Sequence, residues 1–413
     1  MVWAIILNYI AWYLFVFIAV VWILVLLQNR NNFSSKGKEL KKLPFVSVLI
    51  PAYNEGKTIS KTIRSVLNLD YPKRLLEIIV INDCSTDDTK EMAEGFRGKG
   101  VKILNNRRNR GKAYSLNRAT RIAKGKYIAC IDADSLVERD ALKKMLYNFD
   151  SPDIAAVTPA LKVWKPKKFL EKAQHAEYLL NIFLRKMLAF LDSIHVTPGV
   201  FSIYRKDILL KVGGFEEGNL TEDMDIALKI HEHGYKIENN LNAVSYTVCP
   251  DKWKAIFKQR LRWYRGAIQN TIKYKHLLFR KKYGNLGFFF VPMNFLAVIA
   301  IISIFVSLVW SYGTMVADSV WKMSLIGWDF SLIFEKMNIF TFFGSFINTP
   351  FLLGTIGLLL GGYLLYISFR FSNENIRSNK PGYLLYLIIF PFIYMVFWAA
   401  AMLCEVIGLK RKW

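Results

Sequence analysis

Phe45-Val46-Ser47-Val48-Leu49-Ile50-Pro51-Ala52-Tyr53-Asn54-Glu55 runs a β-branched apolar segment into a proline and a polar turn. A short apolar run closed by turn residues reads as a strand buried on both faces, because a half-exposed strand would alternate apolar with polar side chains. Working outward, the pattern recurs with helical patterns between its repeats. A helix is expected over about Lys57 to Leu69, a strand over Glu77 to Ile81, a helix over Asp87 to Glu94 and a strand over Val101 to Leu104. A helix over Lys112 to Ala123 and a strand over Tyr127 to Ile131 follow. Such alternation predicts an α/β domain, a parallel sheet covered by helices, with ligands bound beyond the carboxyl ends of the strands. Asp83 and the Asp132-Ala133-Asp134 stretch fall at those ends.

The chain has 413 residues, 53% hydrophobic and 15% aromatic, which is too apolar for an ordinary soluble domain and long enough for one domain plus a membrane region. Residues 2–27 carry no charge, and a helix needs roughly 20 apolar residues to cross a bilayer. Gln28-Asn29-Arg30 follows directly, with no small-residue cleavage site, so the segment reads as a retained anchor rather than a signal peptide. Further spans are expected at about 287–312, 338–369 and 383–408. Residues 313–337 hold Asp318, Lys322, Asp329, Glu335 and Lys336 among tryptophans, which suits an interfacial helix or loop, and Arg370 to Lys380 is a polar loop. Arg30, Lys36, Lys38, Lys41 and Lys42 follow the first span, and basic flanks favour the cytoplasmic side. Four spans would place Lys410-Arg411-Lys412 on the opposite side, so one span is miscounted or those residues snorkel. The division is an N-terminal transmembrane helix (1–28), a cytosolic domain (43–250), an interfacial helix (251–284) and a C-terminal transmembrane region (285–413), in a multi-pass protein of the cell membrane.

A net charge of +24 invites a nucleic-acid reading, yet no recognition motif accompanies it. Residues 252–282 hold eleven Lys and Arg and no Asp or Glu, interleaved with Trp253, Phe257, Trp263 and Tyr264, a composition suited to anionic headgroups or a pyrophosphate. The partners expected are therefore membrane lipids and a phosphorylated donor, and no nucleic acid. Cys84, Cys130, Cys249 and Cys404 lack any CxxC or metal-ligand spacing and read as reduced thiols. His231 and His233 lie two apart on an expected helix, face different directions and read as surface residues. The apolar-rich helix over 168–190 touches the membrane or an acceptor channel, or else packs in the core.

Four clusters carry chemistry. Glu55 and Asp83 end the first two strands, where a carboxylate can accept from an imide N–H or ribose hydroxyls, and Ser85 or Asp87 can cap the next helix. Asp132-Ala133-Asp134 is read as closing a strand, with alternation putting both carboxylates on one face as ligands for a hard divalent cation that leaves positions open for phosphate. Thr221-Glu222-Asp223 opens a helical pattern with Thr221 as candidate N-cap, and a carboxylate at that helix start can take a proton from an acceptor hydroxyl. In Gln259-Arg260-Leu261-Arg262-Trp263, residues 259, 262 and 263 share a helix face, combining an amide, a guanidinium that can clamp diphosphate and an indole that can stack on a sugar. Each cluster by itself has a blander account as turn, cap or surface residues.

In this fixed order, flanked by apolar spans, the four clusters resemble the membrane-integrated family-2 glycosyltransferases, such as the poly-N-acetylglucosamine, hyaluronan and cellulose synthases and their lipid-glucosylating relatives. The resemblance covers roughly residues 43–312 and extends to Asn109-Arg110-Gly111-Lys112-Ala113 and, loosely, to Thr197 through Arg205. It implies a GT-A (Rossmann-like) fold, inverting transfer, a UDP-sugar donor and Mg2+ or Mn2+. By the same resemblance Asp223 is the general base and Glu222 its orienting neighbour. Pro51, Ala52, Tyr53, Glu55, Asp83, Lys112, Asp132, Gln259 and Arg262 hold the donor, and Trp263 holds the acceptor. Asp134 and Asp132 hold the metal, with Asp132 nearer the ribose or sugar. The product implied is a membrane-associated polysaccharide; single transfer to a lipid, or an inactive lipid-binding scaffold, are the other readings, and an accessory subunit or homo-oligomer is left open. The chain departs from cellulose synthase in lacking a clear match to its donor-site gating loop, and it has one expected N-terminal span where several polymerases have two.

Overall fold

The computed structural model describes residues 2–33, 42–325, 327–328 and 349–409. Eight strands form one sheet: β1 (Val46–Ala52), β2 (Leu76–Asn82), β3 (Val101–Asn105), β4 (Tyr127–Ile131), β5 (Leu136–Val137), β6 (Ile154–Val163), β7 (Val200–Arg205) and β8 (Lys236–Thr247). The helices are α1 (Val2–Asn29), α2 (Ile59–Leu67), α3 (Thr89–Glu94), α4 (Lys112–Ile122), α5 (Ala141–Leu146), α6 (Phe169–Phe190), α7 (Lys206–Lys211), α8 (Glu222–Glu232) and α9 (Trp253–Lys273). The apolar C-terminal part adds α10 (Val291–Leu325), α11 (Thr349–Phe371), α12 (Lys380–Ile388) and α13 (Phe390–Val406).

The strand order is β3-β2-β1-β4-β7-β6-β8-β5. β1 pairs in parallel with both β2 and β4, with Ile50 opposite Val80, and is buried along its whole length as its apolar run requires. The expectation of a parallel sheet holds throughout this half and for the β6–β8 pair, but the sheet is mixed: β7 runs antiparallel to β4 and β6, and β5 to β8. Because β2 and β4 leave β1 on opposite sides, their carboxyl ends open a crevice of the kind in which such sheets bind ligands. β4 ends at Ile131, as the expected strand does, so Asp132 and Asp134 lie in the turn beyond it and strand alternation does not set their faces. Asp132 and Asp134 stay half-buried there, while Ala133 and Ser135 between and after them are buried.

The core has two faces. Val48, Ile50, Val80 and Ala129 pack with α2 and α5, while Leu49, Ile79, Ile128 and Tyr204 pack with α4 and α8. α6 lies on β6 and β8 and on its other sides meets α1, α11 and α12. The 168–190 helix is thus core packing and also the contact between the sheet domain and the apolar helices. His231, expected at the surface, is buried with its Nε2 against the Ile194 carbonyl at 2.7 Å, whereas His233 is exposed.

Among the described residues three helices are long and apolar enough to cross a membrane: Tyr9–Asn29, Leu286–Leu325 and Leu352–Phe371. The run expected as one span over 383–408 is two helices, α12 and α13, bent by 50° at their junction. Pro391 in the first turn of α13 has no N–H to donate back and crowds the preceding turn, which accounts for the break. Residues 313–325 continue α10 without interruption instead of forming a separate interfacial element. At 35 residues α10 is about 50 Å long, more than the roughly 30 Å hydrocarbon layer. Its far end carries the exposed Asp318–Lys322 ion pair (2.6 Å). Residues 329–337, the first part of the 338–369 run, Lys36, Lys38, Lys41 and Lys410-Arg411-Lys412 lie outside the described residues.

Candidate active site

The site begins at the ends of β1 and β2. Pro51 and Ala52 are buried strand residues, and the Ala52 carbonyl accepts from Asp83 N at 2.9 Å, so they present main chain rather than side chains. Tyr53 is exposed just beyond. The Glu55 carboxylate accepts from Thr58 Oγ1 at 2.7 Å, and its N–H donates to Thr89 Oγ1 at 2.7 Å, tying the first turn to the second. Asp87 accepts from the N–H of Thr89 (3.1 Å), the first residue of α3, and of Gly56 (3.0 Å), so it ties the second turn to the first, while the N-cap position itself is Asp88, without a side-chain cap bond.

Asp83 is held by its own chain. It accepts from Asn106 Nδ2 at 2.6 Å, Gly111 N at 2.7 Å and Arg110 N at 3.2 Å. These bonds fix the loop that starts α4 through Gly111, whose φ of 86° lies in the region that favours glycine. The first residue of α4 is Lys112. Its Nζ donates to Asp132 Oδ1 at 2.6 Å and pairs with Glu222 Oε1 at 2.9 Å, joining the turn after β4 to the start of α8. Burial alone would lower the lysine pKa, but Asp132 and Glu222 outweigh it and hold the ammonium well above its usual range.

Gly199 allows this approach: a Cβ there would lie 2.4 Å from Lys112 Nζ and 2.8 Å from both Asp132 carboxylate oxygens. Thr197, two residues earlier, donates from N and Oγ1 to the Asp223 carbonyl at 3.1 and 3.0 Å, and Tyr204 donates to the Thr197 hydroxyl at 2.9 Å. On α8 the two neighbouring acids differ. Burial would raise Glu222, but Lys112 outweighs it and the carboxyl lies below its usual range. Burial pushes Asp223 up to about 6, Glu222 adds to that, and Lys112 and Arg262 oppose it. Thr221 precedes α8 without a side-chain cap bond; its Oγ1 accepts from Asn270 at 3.0 Å instead, and Gly266, where a Cβ would lie 2.4 Å from that oxygen, lets α9 sit against it.

Asp134 is pushed up to about 6, first by burial and then by the charge of Asp132. Two half-buried carboxylates that repel each other are the donor chemistry a hard divalent cation needs, with diphosphate oxygens and water for its other positions. Among the described residues no set of three or more His, Cys, Asp or Glu closes a complete cage. The residues present therefore fit an open ion shared with a phosphorylated ligand.

From α9, Arg262 Nη1 donates to the Leu220 carbonyl at 2.9 Å, directly before the Thr221-Glu222-Asp223 turn, and the guanidinium stays exposed. Gln259 is half-buried on the same helix. Trp263 is half-buried against Leu161, Val163, Tyr178 and Val200. Three features escape sequence reasoning. Arg260, inside the quoted motif, is buried and paired with Glu177 of α6 at 2.7 Å; an acid in the apolar pattern of α6 was the available signal. Arg185, also on α6, has a buried Nη1 without a partner, and burial pushes its guanidinium down to about 10 against the opposing charge of Asp223. Asn106 had no sequence signal.

A mixed sheet with acids gathered at the carboxyl ends of β1, β2 and β4, faced by a helix-borne acid and a basic helix, is the arrangement of a GT-A fold. Residues 47–213 match the glycosyl transferase family 2 profile, so this part of the chain is a family-2 glycosyltransferase domain. It is 29% identical over 378 residues, 91% of its length, to a poly-beta-1,6-N-acetyl-D-glucosamine synthase of Staphylococcus epidermidis, of which the match covers 86%. It is 33% identical over 229 residues to the synthase of the same name from Staphylococcus aureus strain COL, 55% of each chain. In fold it is similar to the mannosyltransferase PcManGT from Pyrobaculum calidifontis, solved with GDP-Man and Mn2+, with a TM-score of 0.62, 17% identity and coverage of 98% of this chain and 99% of that one.

Proposed function

We propose that this chain moves N-acetylglucosamine, with inversion, from UDP-N-acetylglucosamine to a growing membrane-associated polysaccharide, at the cytosolic face of a membrane it crosses several times. The observation that carries this reading is the pairing of two acids on α8: Glu222 is held charged by Lys112, while the half-buried Asp223 is pushed up to about 6 and so is matched to accept a proton near neutral pH. The similarity over nine-tenths of the chain to a poly-beta-1,6-N-acetyl-D-glucosamine synthase supports the sugar and the polymer.

In this reading residues 43–250 bind donor and acceptor, 251–284 are the interfacial helix and 285–413 the membrane region. The turns at Pro51 to Glu55 and at Asp83 receive the nucleoside, and Asp83 also sets Lys112 in place through the loop it holds. Asp223 takes the proton of the acceptor hydroxyl, whose oxygen bonds to the anomeric carbon as the bond to the diphosphate oxygen breaks. Arg262 faces the departing negative charge, Gln259 lies beside it, and Trp263 offers its indole to the acceptor sugar. Asp134 and Asp132 would hold Mg2+ or Mn2+, which supplies charge neutralisation at the leaving diphosphate.

The test is to incubate the detergent-purified chain with radiolabelled UDP-sugars and Mg2+ or Mn2+ and to size the product. A ladder of N-acetylhexosamine units from UDP-N-acetylglucosamine is the expected result. A single sugar on an extracted lipid would replace the polysaccharide reading with glycolipid synthesis, no transfer from any donor would leave a lipid-binding scaffold, and full activity after exhaustive dialysis against EDTA would remove the metal.

A further inference from the structure

α9 places Arg260 and Trp263 three residues apart, on one helix face. The Arg260 side chain is only 2% exposed, and its Nη2 donates to Glu177 Oε2 at 2.7 Å, linking α9 to α6. Its guanidinium carbon also lies 4.2 Å from the centroid of the Trp263 ring, well inside the roughly 6 Å reach of a cation–π contact. Trp263 packs against the cluster that includes Val200, whose neighbour Gly199 accepts from Asp132 N at 3.0 Å and leaves the space beside it to Lys112 Nζ. The indole is thus pinned between a buried cation and the strand that lines the reacting carboxylates.

Burying two charges is expensive, and apolar residues of similar volume would join α6 to α9 at no greater cost. What they would not supply is a directional cation against the indole. The charge of Glu177 outweighs burial and holds the guanidinium in its protonated form.

We propose that Arg260, anchored by Glu177, is a positioning residue for the acceptor sugar: it fixes the plane of the Trp263 indole on which that sugar stacks. This rests on the reading of Trp263 as the acceptor platform. Arg260 touches neither donor nor reacting atoms, so its effect falls on acceptor binding and on the fraction of donor lost to water. Glu177 acts one step further out, by holding Arg260.

The experiment uses the full chain in detergent with UDP-N-acetylglucosamine and a short β-1,6-linked N-acetylglucosamine oligosaccharide as added acceptor. Arg260→Met, Arg260→Lys, the double variant Glu177→Met/Arg260→Met and Trp263→Ala are compared. The double variant removes both charges together, so no uncompensated buried charge is left to unfold it. The expected result is an acceptor KM raised about tenfold in Arg260→Met and in the double variant, an unchanged donor KM, a larger share of donor hydrolysed, and partial rescue by Arg260→Lys. A double variant with a normal acceptor KM, when Trp263→Ala raises it, would show that the pair only joins helices and would overturn the proposal alone. A normal acceptor KM in Trp263→Ala would overturn the platform reading and the proposal with it. Equal changes in donor and acceptor KM would assign Arg260 to general site integrity and also overturn it.

Discussion

In the parallel half of the sheet, β3-β2-β1-β4, Asp83 leaves a strand end and is held by main-chain N–H groups and an amide side chain of the loop beside it. In the half built on β7-β6-β8-β5, the acids Glu222, Asp223 and Glu177 lie on helices, and their partners Lys112 and Arg260 come from distant parts of the chain. A carboxylate held by several backbone amides is fixed by the local turn and tolerates the loss of one bond. One held by a single remote cation depends on how whole elements pack, and burial then sets its protonation. Substitutions should therefore cost most in the second region and least in the first.

The sharpest break is Asp223→Asn, which removes the proton acceptor and preserves its size. Transfer should fall by about 10²–10⁴, while UDP binding, followed by calorimetry, stays within a few-fold of the parent. A variant keeping half its activity would take the base away from Asp223. Next is Gly199→Ala. Its Cβ would need the space of Lys112 Nζ and the Asp132 carboxylate, and displacing reacting groups by about an ångström costs up to about 10²-fold in rate. Steady-state turnover alongside an unchanged thermal midpoint checks that the loss is geometric.

The pH profile sharpens the comparison further. Asp223 must be ionised to accept a proton, and its carboxyl is pushed up to about 6. Activity should be flat above that value and fall about tenfold per pH unit below it. A limb centred near the ordinary aspartate range would show that burial does not set the protonation of α8. The smallest effect is expected in the amide-held region. Asn106→Ala removes one of the donors to Asp83 but leaves the Gly111 and Arg110 N–H groups in place. One hydrogen bond of about 1 kcal/mol corresponds to roughly a fivefold rise in donor KM, and a loss as large as that of Gly199→Ala would contradict the local tolerance described here.

The alternation of short apolar runs with helical periodicity was enough to place β1 through β4 and α2 through α4 within a few residues, because strand and helix periods are properties of neighbouring residues. The order and spacing of Asp83, Asp132, Asp223 and Arg262 likewise carried the resemblance to family-2 glycosyltransferases, whose profile matches residues 47–213. Tertiary structure alone decided that β7 enters the sheet antiparallel and that Pro391 splits the last apolar run. It also decided that Lys112 joins Asp132 to Glu222 across 110 residues of chain, and that Arg260 turns inward to Glu177 while Arg262, two positions on, turns to the Leu220 carbonyl. Two arginines in one motif carry the same local propensity. Which of them is buried depends on the acid an unrelated helix presents, and that is settled only when the helices pack.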